Sequence, residues 1–276
     1  MFDALFTTTT EYKKLSHALS GKGACALFGL PASGRAQVYA ALCRQLDKPL
    51  CIVTPGEAEA TRFAADLNTL GIPAAVFPAR DYVLRPIEGT AREYEYRRLA
   101  VLGELVGGRL RAVAVPAEAL TQFTTPKEDF CANTRTLHAG DTLLRDDLLA
   151  ALFGAGYTRR AQVDGPGQFS VRGDIVDIFA PDQKMPVRME FWGDEIDTLH
   201  TFDLTTQRRE DAIDKFYLSP AREVLFGKPA DAAEQLRAFL AKQRGKKKTA
   251  MADCMAADLD LLDGGAVPVN MDKYLA

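Results

Sequence analysis

Histidine is scarce in this sequence, and metal-ligating side chains do not cluster. His17, His138 and His200 stand far apart, which gives little support to a zinc site or a histidine-centred catalytic site. The five cysteines, Cys25, Cys43, Cys51, Cys131 and Cys254, lack paired metal spacing. Scattered thiols of this kind are expected to be buried and reduced in a cytosolic protein. No apolar run approaches the ~18 residues that would span a bilayer, and the opening MFDALFTTTTEYKK has no signal-peptide pattern. No membrane partner is expected. Charge of one dominant sign is also missing. The formal net charge is −3, so the whole molecule is not an electrostatic glove for nucleic acid. The densest basic run, KQRGKKK from Lys242 to Lys248, reads as a solvated loop.

What is present is an ordinary globular composition, 47 % hydrophobic and 26 % charged, over 276 residues. That length accommodates two domains. Residues 1–130 read as alternating helices and strands. An amphipathic stretch, Glu11 to Leu19, precedes the apolar run GACALFG, and a helix over 35–46 follows. Then come the strand LCIVTP, a helix from Glu57 to Leu70, the short strand AAVFP, a helix from about Arg92 to Leu105 and the strand RAVAVP. Short apolar strands separated by helices imply a parallel sheet covered on both faces, an α/β domain. Over 131–218 the pattern changes. DDLLAALFGAGY reads as a helix, and GQFSVRGDIVDIFAP and PVRMEFWGDEIDTLHTFD read as neighbouring strands joined by tight turns. That is an inserted, smaller α+β domain containing an antiparallel sheet. Helical patterns return over 219–276, with DAAEQLRAFLAKQ the clearest, and the chain reads as a piece of something longer.

The stretch GLPASGRAQ raises the question of nucleotide chemistry. A working phosphate-binding loop has the pattern G-x-x-x-x-G-K-[ST], whose lysine reaches the β/γ-phosphates and whose hydroxyl holds Mg²⁺. Gly29 and Gly34 have the right spacing, but the next two positions are Arg35 and Ala36. A forked guanidinium does not replace the lysine faithfully, and Ala36 has no metal-ligating oxygen. RAVAVP runs straight into Ala117 without an Asp-Glu pair. A degenerate P-loop without hydrolysis follows, with no catalytic residue, no resident metal and no cofactor expected for this chain. Residual anion binding at the helix N-terminus stays open.

In PVRMEFW, Val187, Met189 and Phe191 fall on one face and Arg188, Glu190 and Trp192 on the other. The same parity in QFSVRGD puts Phe169 and Val171 inward and Ser170 and Arg172 outward. Arg172, Arg188 and Trp192 therefore form one patch if the strands are neighbours, and Arg and Trp are the side chains most enriched at binding hot spots. The alternative is a surface pair between Arg188 and a cross-strand acid, with the tryptophan covered by a loop. A second basic grouping, Arg80, Arg85, Arg92, Arg97 and Arg98, is interleaved with Glu88, Glu93 and Glu95 and reads as a solvated helix face plus loop, with duplex binding as its functional reading.

GQFSVRGDIVDIFAP and VRMEFWGDEIDTLHTFD, with GYTRRAQVDGPGQ before and LSPAREVLF after, closely resemble the inserted domain shared by the excision-repair helicase UvrB and the transcription-repair coupling factor Mfd. Weaker resemblance extends over nearly the whole chain. UvrB keeps its loop lysine and threonine and carries a long tyrosine-rich hairpin. Here Pro78 to Leu99 leaves no room for that hairpin, so the resemblance points to the N-terminal UvrB-homology region of the Mfd family.

The resemblance implies a degenerate P-loop domain (RecA/helicase-like), an inserted UvrA-binding domain, and a truncated return segment. It implies a non-catalytic adaptor that mimics UvrB to recruit UvrA to a stalled RNA polymerase, in a bacterial cytoplasmic, nucleoid-associated protein. Family contact positions fall on Arg172, Arg188 and Trp192, which would face an acidic UvrA surface; in the full protein this arginine-bearing surface is expected to be masked intramolecularly until the motor engages. ATP, Mg²⁺, RNA polymerase and double-stranded DNA belong to other modules of such a protein. The rival expectation is an ATP-dependent, UvrB-like DNA helicase domain with an unorthodox loop.

Overall fold

A computed structural model describes residues 7–21, 24–46, 48–80, 92–225, 229–243, 245–265, 267–268 and 271–274. The chain divides into two compact units, Met1–Ala79 with Val101–Thr121, and Arg80–Ala100 with Gln122–Ala276. The division falls inside the helix Glu93–Val106.

The first unit is built on a three-stranded parallel sheet. β1 (Leu50–Thr54) and β2 (Ala74–Val76) both pair with a central β3 (Ala112–Pro116). β3 is buried along its whole length, as a strand covered on both faces must be, and its sequence AVAVP is accordingly apolar at every position. Helices Ala32–Gln45 and Glu57–Thr69 cover one face, setting Ala36, Ala40, Cys43, Phe63 and Leu67 on Ile52, Ala74, Ala112 and Ala114. On the other face, Val101, Leu102 and Leu105 pack on Val113 and Val115. Helix Thr10–Ser20 is capped by Thr9, whose hydroxyl accepts the Tyr12 N–H at 3.3 Å. The turn into β2 is held by Asn68, whose side chain bonds both N–H and C=O of Ala74, at 3.1 and 2.8 Å.

Two expectations fail in this unit. Ala24–Phe28 is not a strand: the segment is exposed, with Phe28 at 89 %. An apolar run becomes a strand only by joining a ladder, and this segment pairs with none of the described strands. The thiols are not uniformly buried either. Cys43 is buried and donates to the Arg111 carbonyl at 3.4 Å, whereas Cys25 and Cys51 here, and Cys131 in the second unit, are exposed. Burial pushes the Cys43 thiol up. Cys51 sits on the edge strand β1, on the face that helix Glu93–Val106 leaves uncovered.

The second unit carries a two-stranded sheet of β4 (Arg135–His138) with β11 (Lys215–Leu218). It also carries a six-stranded sheet of β5 (Thr158–Arg159), β6 (Gln168–Arg172), β7 (Ile175–Phe179), β8 (Val187–Trp192), β9 (Glu195–Phe202) and β10 (Arg209–Ala212). The large sheet runs β10-β9-β8-β7-β6-β5, antiparallel except for the β5–β6 pair. One face, with Phe169, Val176, Ile178, Val187, Met189, Phe191, Ile196 and Leu199, packs on Leu148 and Leu152 of helix Arg145–Gly154 and on Leu137, Phe216 and Leu218. Two hairpins repeat one turn. Gly173 (φ +60°) and Gly193 (φ +63°) each lead a two-residue Gly-Asp loop, between the Arg172↔Ile175 and Trp192↔Glu195 pairs. Glycine at the first loop position is what a type II′ turn requires.

Helices Pro229–Lys242 and Gly245–Asp263 pack Ala233, Leu236 and Leu240 on Met255 and Leu262. The basic run is therefore not all loop: Gly245 to Lys248 open the second helix.

Two of the arginines read as a solvated basic face, Arg80 and Arg98, turn inward, whereas Arg97 is exposed. Arg98 is fully buried and Arg80 is 3 % exposed. Both close on Glu223, itself 1 % exposed: Arg98 Nε lies 2.9 Å from Oε1 and Arg80 Nη2 lies 2.6 Å from Oε2. Thr124 adds a hydroxyl at 2.8 Å, and the Glu223 N–H donates to Glu95 at 3.0 Å. Arg92 is taken by Glu95 at 2.9 Å, Arg97 lies over the Tyr94 ring, and Arg85 is outside the described residues. Removing the shared carboxylate leaves two guanidiniums in a dry interior. Glu223→Ala should therefore lower the unfolding free energy by about 3–5 kcal/mol in a urea titration. Arg237→Ala, which breaks the exposed pair with Asp263, should cost less than about 1 kcal/mol.

Candidate partner-binding site

The site grows from one residue that the alternation of its strand makes unavoidable. In β7, Val176 and Ile178 point into the core, so Asp177 must point to the opposite face. That face is not simply wet. Val163, Phe179, Phe202 and Leu204 form a second apolar cluster over part of it. Ser170, read as outward, is 1 % exposed, and Asp177 has no exposed surface. The covering segment, which reaches Val163 and Leu204 through Gln207 (hydrogen bonds at 3.4 and 2.8 Å), lies too far along the chain for parity to reveal it.

A carboxylate without water needs charged donors, and the register supplies them. Asp177 faces Ser170 on β6 and Arg188 on β8. Arg188 binds it with both prongs, Nε to Oδ1 at 2.7 Å and Nη2 to Oδ2 at 2.9 Å. Arg172, one pleat along β6, reaches Oδ2 with Nη2 at 2.6 Å. Two fixed cations on one anion leave the centre with a net charge of +1.

The two arginines hold different positions. The Arg188 side chain is 11 % exposed. Its guanidinium stacks over Phe202 at 4.8 Å and gives Nη1 to the Gln207 carbonyl at 3.2 Å. The hydrogen bond it donates to Asp177 raises its already high pKa. Gln207 stands at φ +59°, the one non-glycine residue with positive φ among those described. It is held there by its N–H on the Asp203 carbonyl at 2.8 Å. The Thr206 N–H, at 2.7 Å, is the main cause that keeps the Asp203 carboxyl below the usual range. The Arg172 side chain, in contrast, is 46 % exposed, and Trp192 is 82 % exposed at the end of β8. Glu190 lies between Arg188 and Trp192 on this face and is engaged by Arg209 and Thr198.

The predicted trio thus shares one face, with Arg172 and Arg188 brought together and Trp192 standing farther along the same strand, about 13 Å from Arg188 at 3.3 Å per residue. The cross-strand acid weighed as the alternative partner of Arg188 exists, and it is Asp177. Sequence reasoning did not select Asp177. The available signal was a lone acid inside the apolar strand IVDIF, which demands a buried cation. Chemically, the face offers a half-exposed guanidinium with donors turned to solvent and an exposed indole, on a strand scaffold pinned by a buried ion triad.

The glycine stretch is arranged differently from a loop. Gly29 has φ +80°, but Gly34, Arg35 and Ala36 lie inside helix Ala32–Gln45, near its start. The Arg35 N–H is bonded to the Pro31 carbonyl at 3.0 Å. A Cβ at position 34 would meet Pro31 at 3.3 Å, so that glycine serves close packing. Arg35 lies 3.7 Å from Glu59 and over the Phe63 ring, and Ala36 is 2 % exposed among core residues.

With this geometry in place, the sequence relationships are informative. The family described as UvrB interaction domain matches residues 136–224, which hold β4 through β11. The chain is 27 % identical over 259 residues to the transcription-repair-coupling factor of Bacillus subtilis, covering 91 % of this chain and 22 % of that protein. It is 35 % identical over 252 residues to the same factor of Mycobacterium tuberculosis, covering 88 % and 20 %. Against UvrABC system protein B of Chlorobium limicola it is 28 % identical over 226 residues, covering 76 % and 32 %. The chain spans about a fifth of the length of the coupling factors it matches. Residues 136–224 belong to the UvrB interaction domain family, and the chain as a whole corresponds to the UvrB-homology region of the transcription-repair-coupling factors.

Proposed function

We propose that this chain is the non-catalytic adaptor module of a transcription-coupled nucleotide excision repair factor, and that it binds UvrA through the outer face of β6 and β8. The observation that carries the reading is the Asp177 triad inside a UvrB interaction domain: a buried acid aims one arginine at solvent beside an exposed tryptophan. An acidic partner surface would replace the solvent around Arg172, and the indole would supply the apolar anchor. Arg188 contributes by holding Asp177, and through it Arg172, more than by its own small exposed surface. The first unit is read as a degenerate P-loop body whose helix start is filled with Ala36 and a packed Gly34, so ATP and Mg²⁺ chemistry falls to the motor of the parent protein. RNA polymerase and double-stranded DNA are partners of that parent.

Purified chain and UvrA, measured by biolayer interferometry, test this. Arg172→Ala and Trp192→Ala should each weaken binding by about 2 kcal/mol or more, roughly thirtyfold. The Arg172 variant should lose chiefly association rate at low salt. Equal affinity for wild type and the double variant would remove the proposal. A nucleotide-using helicase domain predicts something else: ATP at ~100 times its dissociation constant adds ~2.7 kcal/mol of stability. No change in melting temperature with Mg-ATP is expected here, and a clear rise would favour the helicase reading.

A further inference from the structure

A pocket of about 110 Å³ lies in the second unit where helix Arg145–Gly154 ends. Phe153, Tyr157, Val224 and Val267 supply its apolar walls, and Arg222 is the one charged residue lining it. It sits on the helix-covered side of the large sheet: Phe153 and Tyr157 pack with the core residue Phe169, whereas Asp177 faces the other way. Gly156 keeps the arginine at this wall. It has φ +86°, and a Cβ there would meet Arg222 Cγ at 2.6 Å, so the glycine leaves room for the stem. The head is poorly served. Its one hydrogen bond among the described residues runs from Nη1 to the Pro268 carbonyl at 3.4 Å, and Nε is buried without a partner. No described carboxylate forms an ion pair with it. Glu95 feels its charge but is engaged by Arg92 and by the Glu223 N–H. Burial, and then the like charge of Arg92, pulls the Arg222 pKa down to about 10.

A guanidinium in a largely dry wall without an acid calls for an anion from outside the chain. The pocket adjoins the C-terminal end of helix Arg145–Gly154, whose partial negative charge opposes a dianion such as a phosphate monoester. A single carboxylate matches one guanidinium in charge and in its planar fork, and the apolar walls cover the short stem that carries it. The space encloses one side chain, as a ~150 Å³ cavity encloses one benzene. Phe153 lines the pocket yet is 56 % exposed, with its ring held edge-on to Phe169 at 5.2 Å. A fixed, exposed ring beside an anion pocket offers apolar contact to the residue next to the acid. We infer that this pocket receives a glutamate or aspartate side chain from a segment of a protein partner, with Arg222 binding the carboxylate and Phe153 packing on the apolar residue beside it. The site is separate from the Asp177 face and does not depend on the UvrA reading.

The test is an amide NMR titration of the intact chain with acetyl-Ala-Glu-Leu-amide, with the Gln counterpart as control and glutarate as the bare acid. The Glu peptide should shift the Gly154, Gly156 and Val267 amides saturably and bind about tenfold tighter than the Gln peptide. Arg222→Met should abolish that preference. Because it removes a buried cation that has no acid, it should not lower the melting temperature. Phe153→Ala should weaken both peptides severalfold and leave the preference intact. Equal binding of the two peptides, no binding, or a preference that survives Arg222→Met overturns the inference. A lower melting temperature for Arg222→Met also overturns it, because Arg222 would then be a structural tie. Glutarate binding as tightly as the Glu peptide would make this a small-acid pocket and remove the protein partner.

Discussion

One carboxylate without water organises the face on which this chain's proposed function rests. Asp177 is set in the middle of an apolar strand, and the cost of burying its charge is offset only because two arginines from the flanking strands close on it. Its geometry then fixes theirs. Arg188 is clamped by Asp177, the Phe202 ring and the Gln207 carbonyl, whereas Arg172 is anchored by one nitrogen and turns the rest outward. Freezing a flexible cation before a partner arrives reduces the ordering cost of association. A half-buried arginine held by a fixed acid is thus better prepared for recognition than a freely swinging one.

The same device recurs within the second unit. Glu223 also serves two arginines, Arg80 and Arg98, and there the whole centre is enclosed. The difference lies in surroundings rather than chemistry. At Glu223 the neighbouring Glu95 and Thr124 complete the polar network, and the outcome is a structural tie between segments more than a hundred residues apart. At Asp177 one cation keeps contact with water, and the outcome is a surface.

Much of the architecture was legible from period and composition. The all-apolar AVAVP could only be a strand covered on both sides. The alternation in PVRMEFW placed Val187, Met189 and Phe191 inside and Trp192 outside, as observed. The Gly-Asp pairs in RGDI and WGDE marked both hairpins. What local pattern could not show depends on distant chain. Arg80 and Arg98 read as surface because their acid, Glu223, lies more than a hundred residues away. Ser170 read as outward, and the cover over it comes from the Val163 and Gln207 segments. Ala24–Phe28 had the composition of a strand but joins no described ladder, and the pairing of Arg172 with Arg188 through Asp177 needed the register of three strands.

The helix that begins at Ala32 limits what its first residues can become. Ala36 has been absorbed into the packing of Ala40, Cys43 and Ile52, and Gly34 is pressed on Pro31. A threonine at position 36 would bring its hydroxyl into that apolar layer, where no water reaches it. A substitution at this helix start is therefore felt by the core, not by an open loop.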